Sequence, residues 1–251
     1  MTDDQLRIDV LTAFPSVLTE PLEASILGIA LKRGVYSAHV HDLREWARDK
    51  HRSIDDYPYG GGPGMVLRPE PVFDAVRAIS AMDRRPPCVV IMSPRGTRFD
   101  QKTAERYSLM ERILLVCGRY EGFDERVYSL ADEVVSVGDY VLTGGEIPAL
   151  CVIDATVRLL PGALGDEDSA ALESFTTGLL EHPQFTRPSV FEDMQVPEVL
   201  LSGDHARIER WRREQAVLMT VRHRPDLIET TSMSDADLAV VEGFERKRDA
   251  K

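Results

Sequence analysis

Ile113 to Glu146 reads ILLVCGRYEGFDERVYSLADEVVSVGDYVLTGGE, and its pattern of apolar runs and glycines sets the fold class. Ile113 to Cys117 is an unbroken apolar run, too short for a free helix and closed by Gly118, which is how a strand buried on both faces of a parallel sheet reads. Glu133 to Val137 repeats the pattern and ends at Gly138. The polar, helix-compatible Glu125 to Leu130 lies between them, so the unit is strand, crossover, strand. Upstream, Cys88 to Met92 is a third such strand, ending in Ser93-Pro94-Arg95-Gly96. Three buried strands that each finish in a glycine-bearing loop predict an α/β fold with a small polar ligand held at the carboxyl edge of the sheet.

Working outward, Leu6 to Phe14 reads as an opening strand broken by Pro15, and Ser16 to Arg33 as one helix capped by a left-handed Gly34. Val35 to Leu43 alternates, with Tyr36, Ala38 and Val40 on one face and Val35, Ser37, His39 and His41 on the other. His39 and His41 have no third ligand nearby and read as residues of an edge strand, with no metal assigned. Asp55 to Met65 (DDYPYGGGPGM) is dense in glycine, which suits either a surface loop or close approach of a ligand to the main chain. No Gly-Lys-Ser/Thr follows, so it is not a P-loop. Glu70 to Ser80 is an amphipathic helix on Val72, Phe73, Val76 and Ile79. Ile147 to Leu160 is an apolar helix with Arg158 in its last turn and Pro161 just beyond.

Gly162 to Gly178 is small, acidic and unperiodic, and the composition changes after it. The expected organisation is therefore an α/β domain over 1–161, a linker over 162–178 and a smaller helical domain over 179–251. In that last part, Asp204 caps a helix from His205 to Arg222 whose apolar side is Ile208, Trp211, Leu218 and Met219. Arg207, Arg210, Arg212, Arg213, Arg222 and Arg224 stand there against Asp204, Glu209 and Glu214. This is either a phosphate-contacting face or a solvated helix laced with ion pairs.

The 251-residue chain is 43% hydrophobic, enough for a full-sized core. Its formal net charge of -12 argues against coating nucleic acid at large and confines any such contact to a basic patch. Cys88, Cys117 and Cys151 support neither a disulfide framework nor a zinc site and read as reduced structural thiols of a cytoplasmic protein. The N-terminus lacks a signal core, and no stretch approaches membrane-spanning length. Without a dinucleotide fingerprint, nucleophile elbow or metal spacing, what remains is a cradle of main-chain groups with Arg119, Glu121, Asp139, Glu146, Arg158 and Glu173. That set suits group transfer from a carrier bringing its own reactive centre.

Five motifs then occur in order: Pro58-Tyr59-Gly60-Gly61-Gly62-Pro63-Gly64-Met65; Cys117-Gly118-Arg119-Tyr120-Glu121-Gly122; Gly138-Asp139-Tyr140-Val141-Leu142 with Gly144-Gly145-Glu146; Thr186-Arg187-Pro188; and Leu200-Leu201-Ser202-Gly203-Asp204-His205. Together they resemble the bacterial tRNA (guanine-N1)-methyltransferase family, usually called TrmD. The resemblance implies a SPOUT-type parallel sheet with a deep trefoil knot, an exception to unknotted topology. It also implies a homodimer with active sites between subunits, tRNA as substrate with neither DNA nor membrane as partner, and S-adenosylmethionine bound in the knot; no ligand spacing reveals whether Mg2+ assists. On this resemblance Ser93, Pro94 and Gly96 form one cradle loop and Gly118, Tyr120, Glu121 and Gly122 the second. Val137, Gly138, Asp139, Tyr140, Val141, Leu142, Gly144, Gly145 and Pro148 form the third. Asp55, Gly64, Ser202, His205 and Arg207 are expected to touch the RNA.

The reaction so implied methylates N1 of the guanine just 3′ of the anticodon, at position 37. That nitrogen is protonated at neutral pH, so transfer needs a base for the proton and a cation for the charge reaching O6. Arg158 matches the family's cation. The family's base is an Asp before Ser and then Phe or His, whereas this chain reads Leu172-Glu173-Ser174-Phe175. Either Glu173 substitutes directly, the expected reading, or Asp166 or Asp168 serves instead, or the protein is a weak enzyme that mainly binds tRNA or senses the donor. Attack on a ribose 2′-oxygen is a further alternative.

Overall fold

The computed structural model describes residues 5–165 and 173–249. The chain divides into two compact units, Met1–Glu167 and Asp168–Lys251. The first carries strands β1 (Leu6–Thr12), β2 (Tyr36–Asp42), β5 (Cys88–Arg98), β6 (Arg112–Cys117) and β7 (Glu133–Ser136), with β3 (Asp55–Asp56) and β4 (Val66–Leu67) as a small antiparallel pair. The five longer strands form one sheet, ordered β2-β1-β6-β5-β7, with every neighbouring pair parallel.

Both faces of that sheet are covered, which explains the unbroken apolar runs. Along β6, Ile113, Leu115 and Cys117 join the core under α1 (Ser16–Glu23), α2 (Ser25–Arg33), α4 (Gln101–Ser108) and α5 (Glu146–Val157). Leu114 and Val116 join the core under α3 (Pro69–Ser80) on the other face, with Val72, Val76 and Ile79. Every residue of β6 is buried. A strand with two apolar partners cannot alternate, because no face is left for polar groups.

Several sequence expectations need correction. Ser16 to Arg33 is two helices: Ala24 is extended, and Gly28 lies so close beneath the Glu23 carbonyl that a Cβ there would stand 2.0 Å from its oxygen. Strand β5 does not end at Met92. It bulges over Ser93 to Gly96 and re-enters the sheet, pairing Thr97 and Arg98 with Val135 and Ser136. Of the thiols, Cys117 is buried, but Cys88 is only half-buried and Cys151 is exposed on α5. Gly34 does cap α2 in the left-handed region, with φ of 72°. His39 and His41 lie on edge strand β2, and among the described residues no group of three His, Cys, Asp or Glu is placed to hold a metal ion. No helix among them is long and apolar enough to cross a membrane.

In the second unit the helix His205–His223 packs Val217 and Val221 with Leu179, against Val240, Val241 and Phe244 of the helix Asp235–Asp249. Its buried side is therefore centred on Val217 and Val221. Ile208, Trp211, Leu218 and Met219 are only half-buried, because a small unit has little core to cover them. Asp204 caps this helix, accepting from the Arg207 N–H at 3.0 Å. The alternative bases Asp166 and Asp168, and Leu172 beside Glu173, lie outside the described residues.

One buried charge holds three strands in register. Asp9 on β1 accepts from Arg7, from His41 on β2 at 2.8 Å and from Arg112 on β6 at 2.9 Å. Arg112 also donates to the carbonyls of Ile79, Ser80 and Arg85. Burial alone would raise the Asp9 carboxyl, but its hydrogen bonds to His41, Arg7 and Arg112 override this and hold it far below the usual carboxylate range. A depressed folded-state value stabilises the protein above the unfolded value of about 3.9 and loses that stabilisation as pH falls further. Arg112→Leu should cost about 3–5 kcal/mol in urea unfolding at neutral pH, because it takes the buried guanidinium from the Asp9 carboxylate, leaving only Arg7 and His41, and the donor from the Ser80 and Arg85 carbonyls, and should lessen the loss of stability below about pH 4.

Candidate active site

The carboxyl edge of β5, β6 and β7 encloses a cavity of about 390 Å3. Its first wall is the β5 bulge, with Ser93, Pro94 and Arg95; its second is the turn after β6, Gly118 to Phe123; its third runs from Val137 through Leu142 to Gly145 and Pro148. Tyr120 takes φ of 60° and Gly122 takes 110°, so this turn presents main chain to the cavity in a conformation most side chains resist.

Two glycines decide how the second and third walls meet. The Gly145 N–H donates to the Gly118 carbonyl at 2.8 Å, and a Cβ on Gly145 would lie 2.8 Å from Cys117 Cα and 2.9 Å from Gly118 N. Gly138 sits at φ of 147° under the Tyr140 ring, whose hydroxyl donates to the Val137 carbonyl at 3.4 Å. Beside this crossing Glu146 opens α5 and is almost fully buried. It accepts from the Thr12 hydroxyl at 2.7 Å and lies 3.1 Å from Arg119 Nε. Arg119 in turn rests over the Phe14 ring at 4.3 Å and donates to the Thr143 carbonyl. The carboxylate at a helix N-terminus faces both the macrodipole and a guanidinium, which offsets its desolvation.

The first wall is braced from outside. Arg95 makes two hydrogen bonds to Glu125 at 2.7 and 2.8 Å, lies 4.1 Å over the Tyr128 ring, and the Tyr128 hydroxyl is 3.3 Å from Ser93 Oγ. The pairing pushes Arg95 up and Glu125 down from their ordinary values, so both stay charged at neutral pH. Burial, with the nearby Glu146 charge, pushes the Cys117 thiol well up, so it stays protonated and is no nucleophile.

Most residues expected in the cradle line the cavity. Gly96 and Asp139 do not: Gly96 is instead packed against the Val134 and Val135 backbone, where a Cβ would meet Val134 O at 2.5 Å. Arg95 and Tyr128 line it without having been singled out from sequence, where an Arg and a Tyr in polar segments carry no pattern. The glycine-rich segment is docked beside the second wall. Glu121 N–H donates to Met65 O at 3.0 Å, Leu67 N–H donates to Gly122 O at 2.9 Å, and Gly64 lies against the Glu121 side chain. Asp55 pairs with Leu67 in the β3–β4 ladder. Arg158 is half-buried just past the end of α5 in the first unit, and Glu173 is half-buried in the second.

The arginines of the second unit separate into two groups. Arg212, Arg213 and Arg224 are paired with Glu209, Asp237 and Asp226. Arg207, Arg210 and Arg222 are exposed and have no carboxylate partner among the described residues. Ser202 accepts from the Asp204 N–H in the turn before the helix, and His205 is exposed in its first turn.

The profile of the family described as tRNA (Guanine-1)-methyltransferase TrmD matches residues 6–230. The chain belongs to this family. Relatives named tRNA (guanine-N(1)-)-methyltransferase include one from Dictyoglomus turgidum, 51% identical over 96% of this chain and 98% of its own length. Another, from an Anaeromyxobacter species (strain K), is 54% identical over 95% and 97%. A third, from Dehalococcoides mccartyi, is 48% identical over 94% and 96%. Membership in a methyltransferase family of this kind implies a methyl donor of the S-adenosylmethionine type. A cavity of about 390 Å3 whose lining includes Gly118, Gly122, Gly138, Gly144 and Gly145 has room for a ligand of that class.

Gly145→Ala would push a methyl into the Cys117–Gly118 backbone, which cannot yield as a side chain can. It should cost about 1–3 kcal/mol in thermal unfolding. It should also lower methyl transfer more than tenfold, roughly the cost of displacing a cradle wall by a fraction of an ångström.

Proposed function

We propose that this protein is an S-adenosylmethionine-dependent methyltransferase acting on N1 of the guanine immediately 3′ of the tRNA anticodon, position 37. The observation that carries this reading is the near-full-length likeness to relatives named tRNA (guanine-N(1)-)-methyltransferase. The glycine-walled cavity at the same three segments supports it. When bound, the donor supplies an electrophilic sulfonium methyl. Ser93, Pro94, Gly118, Tyr120, Glu121, Gly122, Gly138, Tyr140, Leu142, Gly144, Gly145 and Pro148 hold and orient it and keep bulk water from the methyl. The close Gly118–Gly145 contact and the short Arg119 to Gly144 bridge support a deep trefoil knot in this unit, with the chain after β7 returning against the turn after β6.

Glu173 takes the guanine N1 proton as the methyl arrives, and Arg158 stabilises the charge that spreads onto O6. Glutamate has nearly the basicity of aspartate, so the chemistry survives the replacement; the extra methylene asks only for a shifted backbone. The second unit grips the tRNA with Ser202, His205 and Arg207, while Asp55 and Gly64 approach the guanine. The protein works as a homodimer with active sites between subunits. Helix α5 is apolar on nearly every side and leaves Ile147 half-exposed and Cys151 exposed, and α2 leaves Ile26 and Ile29 exposed, an apolar area fit for a second copy.

Transfer of labelled methyl to a tRNA transcript tests the activity, and replacement of the target nucleotide by 2′-O-methylguanosine, which blocks the ribose oxygen and leaves N1 free, separates base from ribose attack. Glu173→Gln should lower the rate at least a hundredfold while Glu173→Asp stays within about tenfold of the parent, since only the second keeps a proton acceptor. A Gln variant of full activity removes Glu173 from the role of base. Ile147→Glu should shift the protein to monomers in analytical ultracentrifugation and abolish transfer, because a charge on an apolar interface is left desolvated and unpaired.

A further inference from the structure

A second cavity, of about 340 Å3, lies wholly in the C-terminal unit. Phe185, Arg187, Val196, Leu200 and Leu201 line it. Phe185 is 46% exposed and Leu201 62%, large apolar surface for residues that border a pocket. Phe185 is nevertheless held firmly from behind by Trp211, ring centroids 6.4 Å apart at 52°. The floor is closed by main chain, with the Val196 N–H donating to the Ser189 carbonyl at 2.9 Å.

The one charged side chain that lines this groove is a cation. Arg187 lines it and makes no hydrogen bond or ion pair among the described residues. Arg207, one helical turn before Trp211 and so on the same face of its helix, is exposed and likewise unpaired with any carboxylate. The acids nearby in the chain do not line it: Glu192 and Asp193 form the turn of the Val190–Phe191 and Met194–Gln195 hairpin, at the opposite end from Ser189 and Val196, Glu181 accepts from Gln184, and Glu198 is exposed at the start of the short helix Glu198–Leu201. An exposed ring, two aliphatic side walls and unpaired guanidinium groups, in a chain of net charge -12, match one occupant class: a single unstacked base with its phosphate.

We propose that this groove is a second RNA subsite, in which an unpaired nucleotide of the tRNA other than the target guanine stacks on Phe185 while Arg187 contacts its phosphate. The inference rests on the tRNA-methyltransferase reading above. It assigns the groove to grip, and gives it no part in the chemistry.

Two variants of the full-length protein test it: Phe185→Leu, which keeps an apolar side chain against Trp211 but removes the ring face, and Arg187→Gln. Each is titrated with an unmodified tRNA transcript and with transcripts carrying one abasic site at a time among the unpaired nucleotides of the anticodon arm. Phe185→Leu should weaken binding of the intact transcript roughly five- to a hundredfold, the range of one lost base stack. Its turnover at saturating tRNA should stay within about twofold, since only ground-state binding is removed. For the one abasic transcript that lacks the stacked base, parent and variant should bind alike, the signature of a direct contact. The idea is overturned if Phe185→Leu binds intact tRNA as the parent does, or if its deficit is the same on every abasic transcript. It is equally overturned if Phe185→Leu, melting at the parent's temperature, changes the sedimentation of RNA-free protein, for then the groove contacts a second copy. A parent protein that binds no tRNA at all would instead remove the functional reading on which the inference stands.

Discussion

Two stretches of backbone in contact govern this structure. Gly145 presses against Cys117 and Gly118, and Gly144 against the Arg119 and Glu146 side chains, closely enough to leave no room for a Cβ, and the Gly145 N–H to Gly118 carbonyl bond joins the two stretches. Because one stretch ends β6 and the other begins α5, this contact sets where two of the three cavity walls stand. Glu146 secures it from inside the protein, tying α5 to Thr12 on β1 and to Arg119 on the turn after β6. A buried carboxylate is expensive unless its charge is offset, and Glu146 Oε2 accepts no hydrogen bond and relies on the nearby Arg119 charge. Here a hydroxyl, a guanidinium and a helix N-terminus all face it.

The sheet beneath is stiffened in a comparable way. Asp9 and Arg112 are both fully buried and reach across β1, β2 and β6 to carbonyls in the last turn of α3 and just beyond it. The cavity therefore sits on strands whose register is held by apolar packing on two faces and by one ion-paired cluster between them. Loops that must keep a ligand within a few tenths of an ångström of a productive position gain from so rigid a base.

Charge is distributed to suit an acidic protein that meets a polyanion. With an overall formal charge of -12, attraction to phosphate must be local. In the C-terminal unit some arginines are spent on internal pairs, Arg213 with Asp237 among them, while Arg187, Arg207, Arg210 and Arg222 keep their guanidinium groups clear of carboxylates among the described residues. The sequence shows all of these arginines alike. Which are available depends on carboxylates brought close by the fold, as Asp237 is from 24 residues away.

Ile113 to Cys117 and Gly118 could be read as a buried strand and its terminating turn from residue order alone, because a two-sided core demands continuous apolar side chains and a sharp turn demands glycine. The same logic reached β1, α3, α5 and the left-handed Gly34 cap. It failed at Ala24 and at Met92, where a helix breaks and a strand continues through a bulge, since both depend on what lies against the chain: the Glu23 carbonyl over Gly28, and Val134–Val135 against Gly96. Nor could it find the Arg95, Glu125 and Tyr128 brace, whose members carry no periodic signal and meet only when the bulge folds toward the crossover. Residue order alone carries the apolar strands and the glycine punctuation, because those follow from local sterics and burial, and it carries the family's motifs. Which glycines line the cavity and which merely allow packing is set by the folded chain, because that distinction is made by atoms far apart along it.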